Sequence, residues 1–225
     1  MPGDFSYRGG ASILARYDPT VLLLEDCEES YKWTNSGTGA DYTGSFDASF
    51  CYFGTKGWKL RTRATTPAAN DYVRVARYLT YPAVRKLVVR GRVNFSTVSL
   101  VKTLAIEFAV VDGVTGYTAA LLFTPNTPKV EYVNSAGAYV AMASLAHVIT
   151  ADCWYTFEIA LDLVGLKYIS ASFGGTVVDL SAQGLYSFGG DTRRVVMLAF
   201  QVTAIGAAMC ELGMDAIYLG SADQV

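Results

Sequence analysis

Two carboxylates, Glu158 and Asp162, lie four residues apart in the segment WYTFEIALD (residues 154–162) and are the first groups in the chain to consider as an acid–base pair. Apolar and polar residues alternate here, which predicts a β-strand with one buried face. Residues i and i+4 of a strand share a face but lie ~13 Å apart. Glycosidases hold their two carboxyl groups only about 5 to 9.5 Å apart. This strand alone therefore cannot supply the pair, and Glu107 in the predicted strand IEFAV is the remaining partner if the two strands are adjacent.

Other reactive side chains are few and widely separated. His147 is the only histidine, which gives no basis for a histidine metal site, a proton relay or a catalytic triad away from that residue. The four cysteines, at positions 27, 51, 153 and 210, form no CxxC pair, and the aspartates lack the spacing of a calcium-binding EF-hand. We therefore predict no catalytic residues, no metal site and no cofactor.

The composition indicates a folded chain with an uneven distribution of charge. Of the 225 residues, 52% are apolar and 17% are charged, and no apolar run reaches the roughly 18 to 20 residues that a transmembrane helix needs. The net charge is −2, yet residues 56–102 contain eleven Lys and Arg against the single acid Asp71. The amino terminus lacks the apolar core of a secretory signal. We predict a chain without a membrane partner, and the sequence assigns it no compartment.

Period-two alternation recurs through most of the chain after residue 45 and is typical of strands with one buried face. Turn signals such as DGVTG and NSAGA separate the alternating runs, and no segment shows a capped apolar stripe of helical period. The pattern predicts an all-β protein. We expect an antiparallel jelly-roll β-sandwich of ten or more strands over residues 20–225, preceded by an extended N-terminal arm at residues 1–19.

Four segments follow the order of features in concanavalin A-like sandwiches: LLLEDCEESYKW, FGTKGWKLRTR, WYTFEIALDLVGLKYISASFGG and MDAIYLG. On these segments, residues 20–220 resemble the concanavalin A-like lectin and glucanase fold. Glucanases of this fold carry acids in an E-x-D-x-E pattern on one strand. The corresponding positions here are Glu158, Ala160 and Asp162, so the central acid is missing. The resemblance therefore implies the fold without the hydrolase activity.

The same resemblance implies sugar binding, because lectins of this fold bind sugars with exposed aromatic side chains and polar loops, often with a calcium ion. Five aromatic residues are candidates for stacking on a sugar: Tyr31, Trp33, Tyr42, Tyr52 and Trp154. Trp154 lies on the opposite face of its predicted strand from Tyr155 and Phe157, which favours its exposure. For several of the others the alternative is a place at the edge of the core.

Basic residues recur on one face of two predicted strands, in GWKLRTR and RKLVVRGRV. They are Lys59, Arg61, Arg63, Lys86, Arg90 and Arg92. Two such strands in one sheet would form a positive surface that orients an acidic partner. The alternatives are ion pairing with acidic strands of the same sheet and docking of the acidic first 30 residues of another subunit. The negative net charge and the lack of RNA- or DNA-binding motifs argue against nucleic acid as a partner.

These features lead to one primary hypothesis and two alternatives. The N-terminal arm, the segregated charge and the lack of a catalytic constellation resemble, in style, the jelly-roll decoration and turret proteins of virion surfaces. The primary hypothesis is a non-enzymatic structural protein that forms a homo-oligomer or a larger assembly on a surface such as a virion. The alternative is a carbohydrate-binding module or lectin-like domain with a glycan partner, and a more remote one is a glycan hydrolase or lyase.

Overall fold

The computed structural model describes residues 33–82, 84–145, 148–189 and 192–221, together with the backbone of residues 21–25. Within these ranges the regular structure consists of sixteen β-strands and two single-turn 3-10 helices, Val98–Leu100 and Ala143–Leu145. The predicted all-β class is confirmed. The predicted arm at residues 1–19 lies outside the described residues. No helix in the described ranges is long and apolar enough to cross a membrane.

The strands are numbered in chain order, and the longest of them lie in the middle of the two sheets. Their bounds are β1 (Val21–Glu25), β2 (Thr34–Gly37), β3 (Thr43–Asp47), β4 (Gly57–Arg61), β5 (Tyr72–Thr80), β6 (Lys86–Phe95), β7 (Val101–Asp112), β8 (Gly116–Thr124), β9 (Lys129–Val133), β10 (Tyr139–Ala141), β11 (Trp154–Asp162), β12 (Lys167–Phe173), β13 (Thr176–Asp179), β14 (Tyr186–Phe188), β15 (Arg194–Ala204) and β16 (Glu211–Ser221).

The strands form two antiparallel sheets. Sheet A has the order β13-β12-β11-β6-β16-β4-β3, with β1 beside the part of β16 that β4 does not cover. Sheet B has the order β10-β9-β8-β7-β15-β5-β2, with β14 beside β8. Sequential strands such as β6 and β7 belong to different sheets, so the chain crosses repeatedly between the layers. The architecture is the antiparallel jelly-roll sandwich that the sequence predicts.

One apolar core lies between the sheets, and the alternation in the sequence supplies its side chains. In β11, Phe157, Ile159 and Leu161 are at most 1% exposed, whereas Glu158 between them faces outward. Phe157 meets Phe200 of sheet B with 5.9 Å between the ring centroids. Burial of one large apolar side chain stabilises a fold by about 1.5–3 kcal/mol. The core is therefore the main source of stability, and the polar side chains of the strands lie on the outer faces.

The two basic segments of the sequence belong to one sheet. β16 lies between β4 and β6, and β11 follows β6 on the other side. On the outer face, Arg92 lies opposite Thr156 and Arg90 lies opposite Glu158. The shared register brings the basic side chains of β6 directly beside the polar side chains of β11.

A bulge in β16 changes the phase of its alternation. The register of β16 against β6 shifts between Asp215 and Tyr218, and Ala216 in this interval has a left-handed φ of 52°. Met214 and Ile217 are both fully buried although they are three residues apart. The extra residue therefore keeps apolar side chains in the core on both sides of the bulge. β-bulges are enriched next to functional sites.

Candidate functional site

The carboxylates considered as a catalytic pair are held apart by the strands that carry them. Glu158 lies on the outer face of sheet A and pairs with Arg90 of the neighbouring strand at 2.5 Å. Glu107 lies on β7 in the other sheet, where it pairs with Arg74 at 2.7 Å. Asp162 ends β11 and bonds to the turn that follows. The structure therefore does not bring Glu107 to Glu158, and each acid has a local partner.

Asp162 caps a turn and gives the fold a pH dependence. Its Oδ1 accepts the N–H groups of Gly165 and Val164, both at 3.0 Å, and these bonds, led by that of Gly165, hold the pKa of the carboxyl below its ordinary value. Because the unfolded state binds this proton more tightly, the free energy of unfolding should fall as the pH drops below about 4 and through the folded-state pKa. Asp162→Asn should make that fall smaller in urea titrations at a series of pH values. An unchanged pH slope in the variant would contradict this role.

Three of the six predicted basic residues, Lys59, Arg63 and Arg90, form ion pairs within the described part of the protein. Lys59 lies between Asp47 at 3.6 Å and Glu211 at 3.3 Å. Arg63 pairs with the buried Asp71 at 3.0 Å. Arg90 pairs with Glu158, Arg61 donates to the Thr43 hydroxyl at 3.0 Å, and Lys86 lies opposite Asp162 in the strand register. This geometry favours the alternative in which basic strands pair with acids of the same protein.

Arg92 differs from these residues because its guanidinium lies over aromatic rings. The guanidinium lies 3.7 Å from the centroid of the Tyr52 ring and 5.5 Å from that of Phe53. Within the described part of the chain it forms no ion pair with a carboxylate. A cation over an aromatic face contributes about 0.5–1 kcal/mol at an exposed site. Arg92 thus holds the Tyr52 ring in place and keeps its own charge.

A buried carboxylate fixes the loop between β3 and β4, which carries Tyr52 and Phe53. Asp215 of β16 is fully buried, and its Oδ2 accepts the N–H groups of Tyr52 at 2.7 Å and of Phe53 at 2.8 Å. Hydrogen bonds to an ionised acceptor are about twice as strong as neutral ones. The position of the loop is therefore set by a strand in the middle of sheet A.

Two glycines make room for the same loop. Phe50 is buried against β16, and a Cβ atom at Gly213 would lie 2.2 Å from its ring. A Cβ atom at Gly57 would lie 1.8 Å from the carbonyl oxygen of Phe50. Both distances are far shorter than a van der Waals contact, so a larger residue at either position would push the loop away from the sheet.

An aromatic–arginine cluster, which consists of Tyr52, Phe53, Arg92 and Trp154, results on the outer face of sheet A. The Tyr52 ring centroid lies 4.5 Å from that of Phe53 and 5.7 Å from that of Trp154, both edge to face. Tyr52 and Phe53 remain 40% and 45% exposed. Trp154 also lines an open depression of about 400 Å³, together with Val148, Tyr155, Thr156, Gly174 and Gly175. Exposed aromatic residues beside a depression are typical of ligand-binding surfaces.

The structure brings together two of the five aromatic residues predicted to stack on a sugar, Tyr52 and Trp154. Trp33 instead packs at the core, where its ring centroid lies 5.6 Å from that of Trp58. Tyr42 is also partly buried against the core, as the alternative reading of these residues anticipates. Tyr31 lies outside the described residues.

The sequence analysis missed two members of the site, Phe53 and Asp215. Phe53 follows Tyr52 in a turn-like stretch, and nothing in the alternation marks it as exposed. Asp215 did carry a signal, because an acid within the apolar strand MDAIYLG has to find hydrogen-bond donors when it is buried. Its two donors lie 163 and 162 residues away along the chain, so the sequence could not identify them.

No family model matches the chain, and no curated protein sequence matches it either. Solved structures do share its fold. The cellulose-induced protein Cip1 has a TM-score of 0.57 at 14% identity, over 88% of this chain and 97% of that one. A seed lectin of Lotus tetragonolobus has a TM-score of 0.55 at 11% identity, over 88% of this chain and 96% of that one. Alginate lyase vAL-1 from Chlorella virus has a TM-score of 0.54 at 7% identity, over 89% of this chain and 99% of that one. These similarities establish a concanavalin A-like β-sandwich, as predicted.

The comparisons correct the primary functional hypothesis. The prediction of a non-enzymatic structural protein on a virion surface is wrong, because the proteins that share the fold include a lectin and an alginate lyase, which point to glycan binding or processing. The prediction that the protein is not an enzyme is also wrong, because an alginate lyase is among the proteins that share the fold. The carbohydrate-binding alternative is the better supported one. A single chain does not test the predicted homo-oligomer.

Proposed function

We propose that the protein binds a glycan at the aromatic–arginine cluster on the outer face of sheet A. Sugars present apolar C–H faces framed by hydroxyl groups, and amphipathic aromatic rings beside polar groups suit such ligands. Tyr52 and Trp154 provide the rings, and the open depression next to Trp154 provides room for further sugar units. The lectin among the structures that share this fold supports carbohydrate binding.

One observation carries the proposal: two large aromatic side chains are held in exposed positions by specific polar contacts. A single exposed aromatic residue is ordinary on a protein surface. Here the backbone of both Tyr52 and Phe53 is bonded to Asp215, and the Tyr52 ring is stacked on Arg92. Fixing these groups before binding lowers the entropic cost of association. The exposed rings are therefore a prearranged surface for a ligand with an apolar face.

Removal of either ring should weaken glycan binding by about 10-fold or more, since loss of a stacked aromatic contact costs ~1.5–3 kcal/mol. Calorimetric titration of the wild-type protein with neutral and acidic oligosaccharides would first identify a ligand. Trp154→Ala and Tyr52→Ala would then be titrated with the same ligand. Quenching of tryptophan fluorescence that disappears in Trp154→Phe would place the ligand at this ring.

Tyr78→Ala is the matched control for these variants. Tyr78 is a tyrosine of similar exposure, 50%, but it lies on β5 in sheet B. Its removal should leave the affinity within about twofold, as is usual for surface substitutions away from a site. An equal loss in Tyr78→Ala, or full affinity in both cluster variants, would contradict a site at the cluster. Failure of the wild type to bind any member of the panel would contradict the proposal as a whole.

A further inference from the structure

We infer that the glycan bound at the aromatic–arginine cluster is anionic, and that Arg92 binds the carboxylate or sulfate group of one of its sugars. The inference rests on the proposed function, because it names the class of ligand that the same surface takes.

Arg92 forms no ion pair with a carboxylate within the described residues. On the same face, Lys59 has two carboxylate partners and Arg90 has Glu158, so these cations are already neutralised. Within the described part of the chain, the Arg92 guanidinium lies against the rings of Tyr52 and Phe53. Rings do not neutralise a cation, so the positive charge stays available to a ligand.

Asp215 is the acid that lies opposite Arg92 in the strand register, and its oxygens are already used. One oxygen accepts the N–H groups of Tyr52 and Phe53, and the other accepts the N–H group of Ala216 at 2.7 Å. The carboxylate is fully buried, and both of its oxygens accept backbone N–H groups. Asp215 therefore positions the loop, and the donors of Arg92 are left for another acceptor.

The geometry of Arg92 suits a planar or branched oxyanion. The Cζ atom of Arg92 lies over the Tyr52 ring, 3.7 Å from its centroid, and the guanidinium N–H groups find no carboxylate among the described residues. Two such groups form the fork that binds a carboxylate through paired hydrogen bonds, and a sulfate ester presents similar paired oxygens. Trp154 lies 5.7 Å from the same Tyr52 ring. A sugar stacked on Trp154 would thus bring its charged substituent close to Arg92.

Two pairs of oligosaccharides test the inference. The first pair is an oligogalacturonate and its carboxyl-reduced form, and the second is a sulfated galactan oligosaccharide and its desulfated form. We expect the wild-type protein to bind one charged form about 10-fold or more tightly than its neutral counterpart, because charge-assisted hydrogen bonds are the strong ones. The pair that shows the difference identifies the charged group as a carboxylate or a sulfate.

Arg92→Gln should remove this preference, so that the charged and neutral forms bind with equal affinity, because loss of the contact with Tyr52 lowers both affinities by the same factor and does not change their ratio. Arg61→Gln is the matched control, because Arg61 is on the same sheet, two strands away on β4, and donates to the Thr43 hydroxyl. Its substitution should leave the preference unchanged. A loss of preference in Arg61→Gln as large as that in Arg92→Gln would overturn the inference in favour of a general charge effect.

The remaining outcomes separate this inference from the proposed function. Equal affinity of the wild type for charged and neutral forms, or a preference that persists in Arg92→Gln, overturns the inference and leaves glycan binding in place. Binding to none of the four ligands by a wild-type protein that binds another glycan of the panel overturns the inference and leaves the proposed function in place, whereas binding to no glycan at all overturns both. If Arg92→Gln no longer binds the neutral form, the preference is measured in Arg92→Lys instead. Lysine keeps the positive charge but lacks the paired N–H groups of the guanidinium. A reduced preference in that variant supports the inference, and an unchanged preference overturns it.

Discussion

Asp215→Ala is expected to lower the free energy of unfolding by about 2–4 kcal/mol and to abolish ligand binding at the aromatic–arginine cluster. The carboxylate is fully buried and accepts the N–H groups of Tyr52 and Phe53. In the variant both donors lose their acceptor, and each such loss costs about 1–3 kcal/mol where water cannot replace it. The loop is then no longer held against sheet A, so Tyr52 leaves its position over Arg92.

Two further variants separate these hydrogen bonds from the loss of a negative charge. Asp215→Asn keeps an acceptor oxygen and should retain part of the stability and of the binding. Asp179→Ala removes an exposed aspartate that accepts the N–H group of Ser181 at 2.8 Å, and it should leave the denaturation midpoint close to that of the wild type. Urea denaturation and glycan titration measure both effects. An Asp215→Ala protein as stable as the wild type would show that other contacts hold the loop.

The strands themselves could be predicted from the sequence because alternation is a local property. The alternating run at residues 155–163 corresponds to β11, and its apolar members Phe157, Ile159 and Leu161 are the buried ones. The pairing of strands is not local. β11 lies between β6 and β12, and only β12 is its neighbour in the chain. The sequence therefore predicted a sandwich, while the register that sets Glu158 beside Arg90 came only with the structure.

The alternation misleads at one point, the bulge in β16. A strict period of two puts Met214 and Ile217 on opposite faces, yet both are buried because Ala216 adopts a left-handed φ of 52°. This conformation is unfavourable for alanine by about 1–2 kcal/mol. An alanine in the sequence therefore does not predict it. The surrounding core outweighs that cost, and the outward position of Asp215 just before the bulge lets it meet the loop.

The candidate site was partly visible in the sequence for a related reason. Tyr52 and Trp154 were among the five aromatic residues predicted to stack on a sugar, and Arg92 belonged to the predicted basic face. Their contacts join a loop to two neighbouring strands that are distant in the sequence. Such contacts produce no fixed spacing of residues, so no sequence motif reveals them. The mistaken functional hypothesis rested on the predicted arm, the segregated charge and the lack of a catalytic constellation, and none of these bears on binding through stacking. A surface that binds through stacking needs only exposed rings that are held in place, and the fold supplies those.

Tyr168→Phe is expected to lower the free energy of unfolding by about 2–4 kcal/mol, although it removes a single oxygen atom. Tyr168 belongs to β12 in sheet A, is fully buried, and reaches across the core to sheet B. Its hydroxyl donates to the carbonyl oxygen of Val133 at 2.9 Å and accepts the N–H group of Ala120 at 3.0 Å. Burial raises the pKa of this hydroxyl, so it stays protonated and able to donate.

These two backbone groups lie where β8 changes its partner strand. β9 pairs with residues 121–124 of β8, and β14 pairs with residues 116–118. Ala120 lies in the gap between these two ladders, so its N–H group has the Tyr168 hydroxyl in place of a strand partner. In the phenylalanine variant the buried groups of Ala120 and Val133 lose this partner together, which accounts for the size of the expected loss.

Tyr132→Phe is the matched control, because Tyr132 is also buried and its ring lies 5.6 Å from that of Tyr168, edge to face. Its hydroxyl makes no hydrogen bond within the described residues, so its removal should cost less than about 1 kcal/mol. Urea denaturation followed by circular dichroism would compare the two variants. If Tyr168→Phe loses no more stability than Tyr132→Phe, the groups at the gap are satisfied by water. A clearly larger loss would show that the Tyr168 hydroxyl closes the gap between the two ladders and joins the sheets.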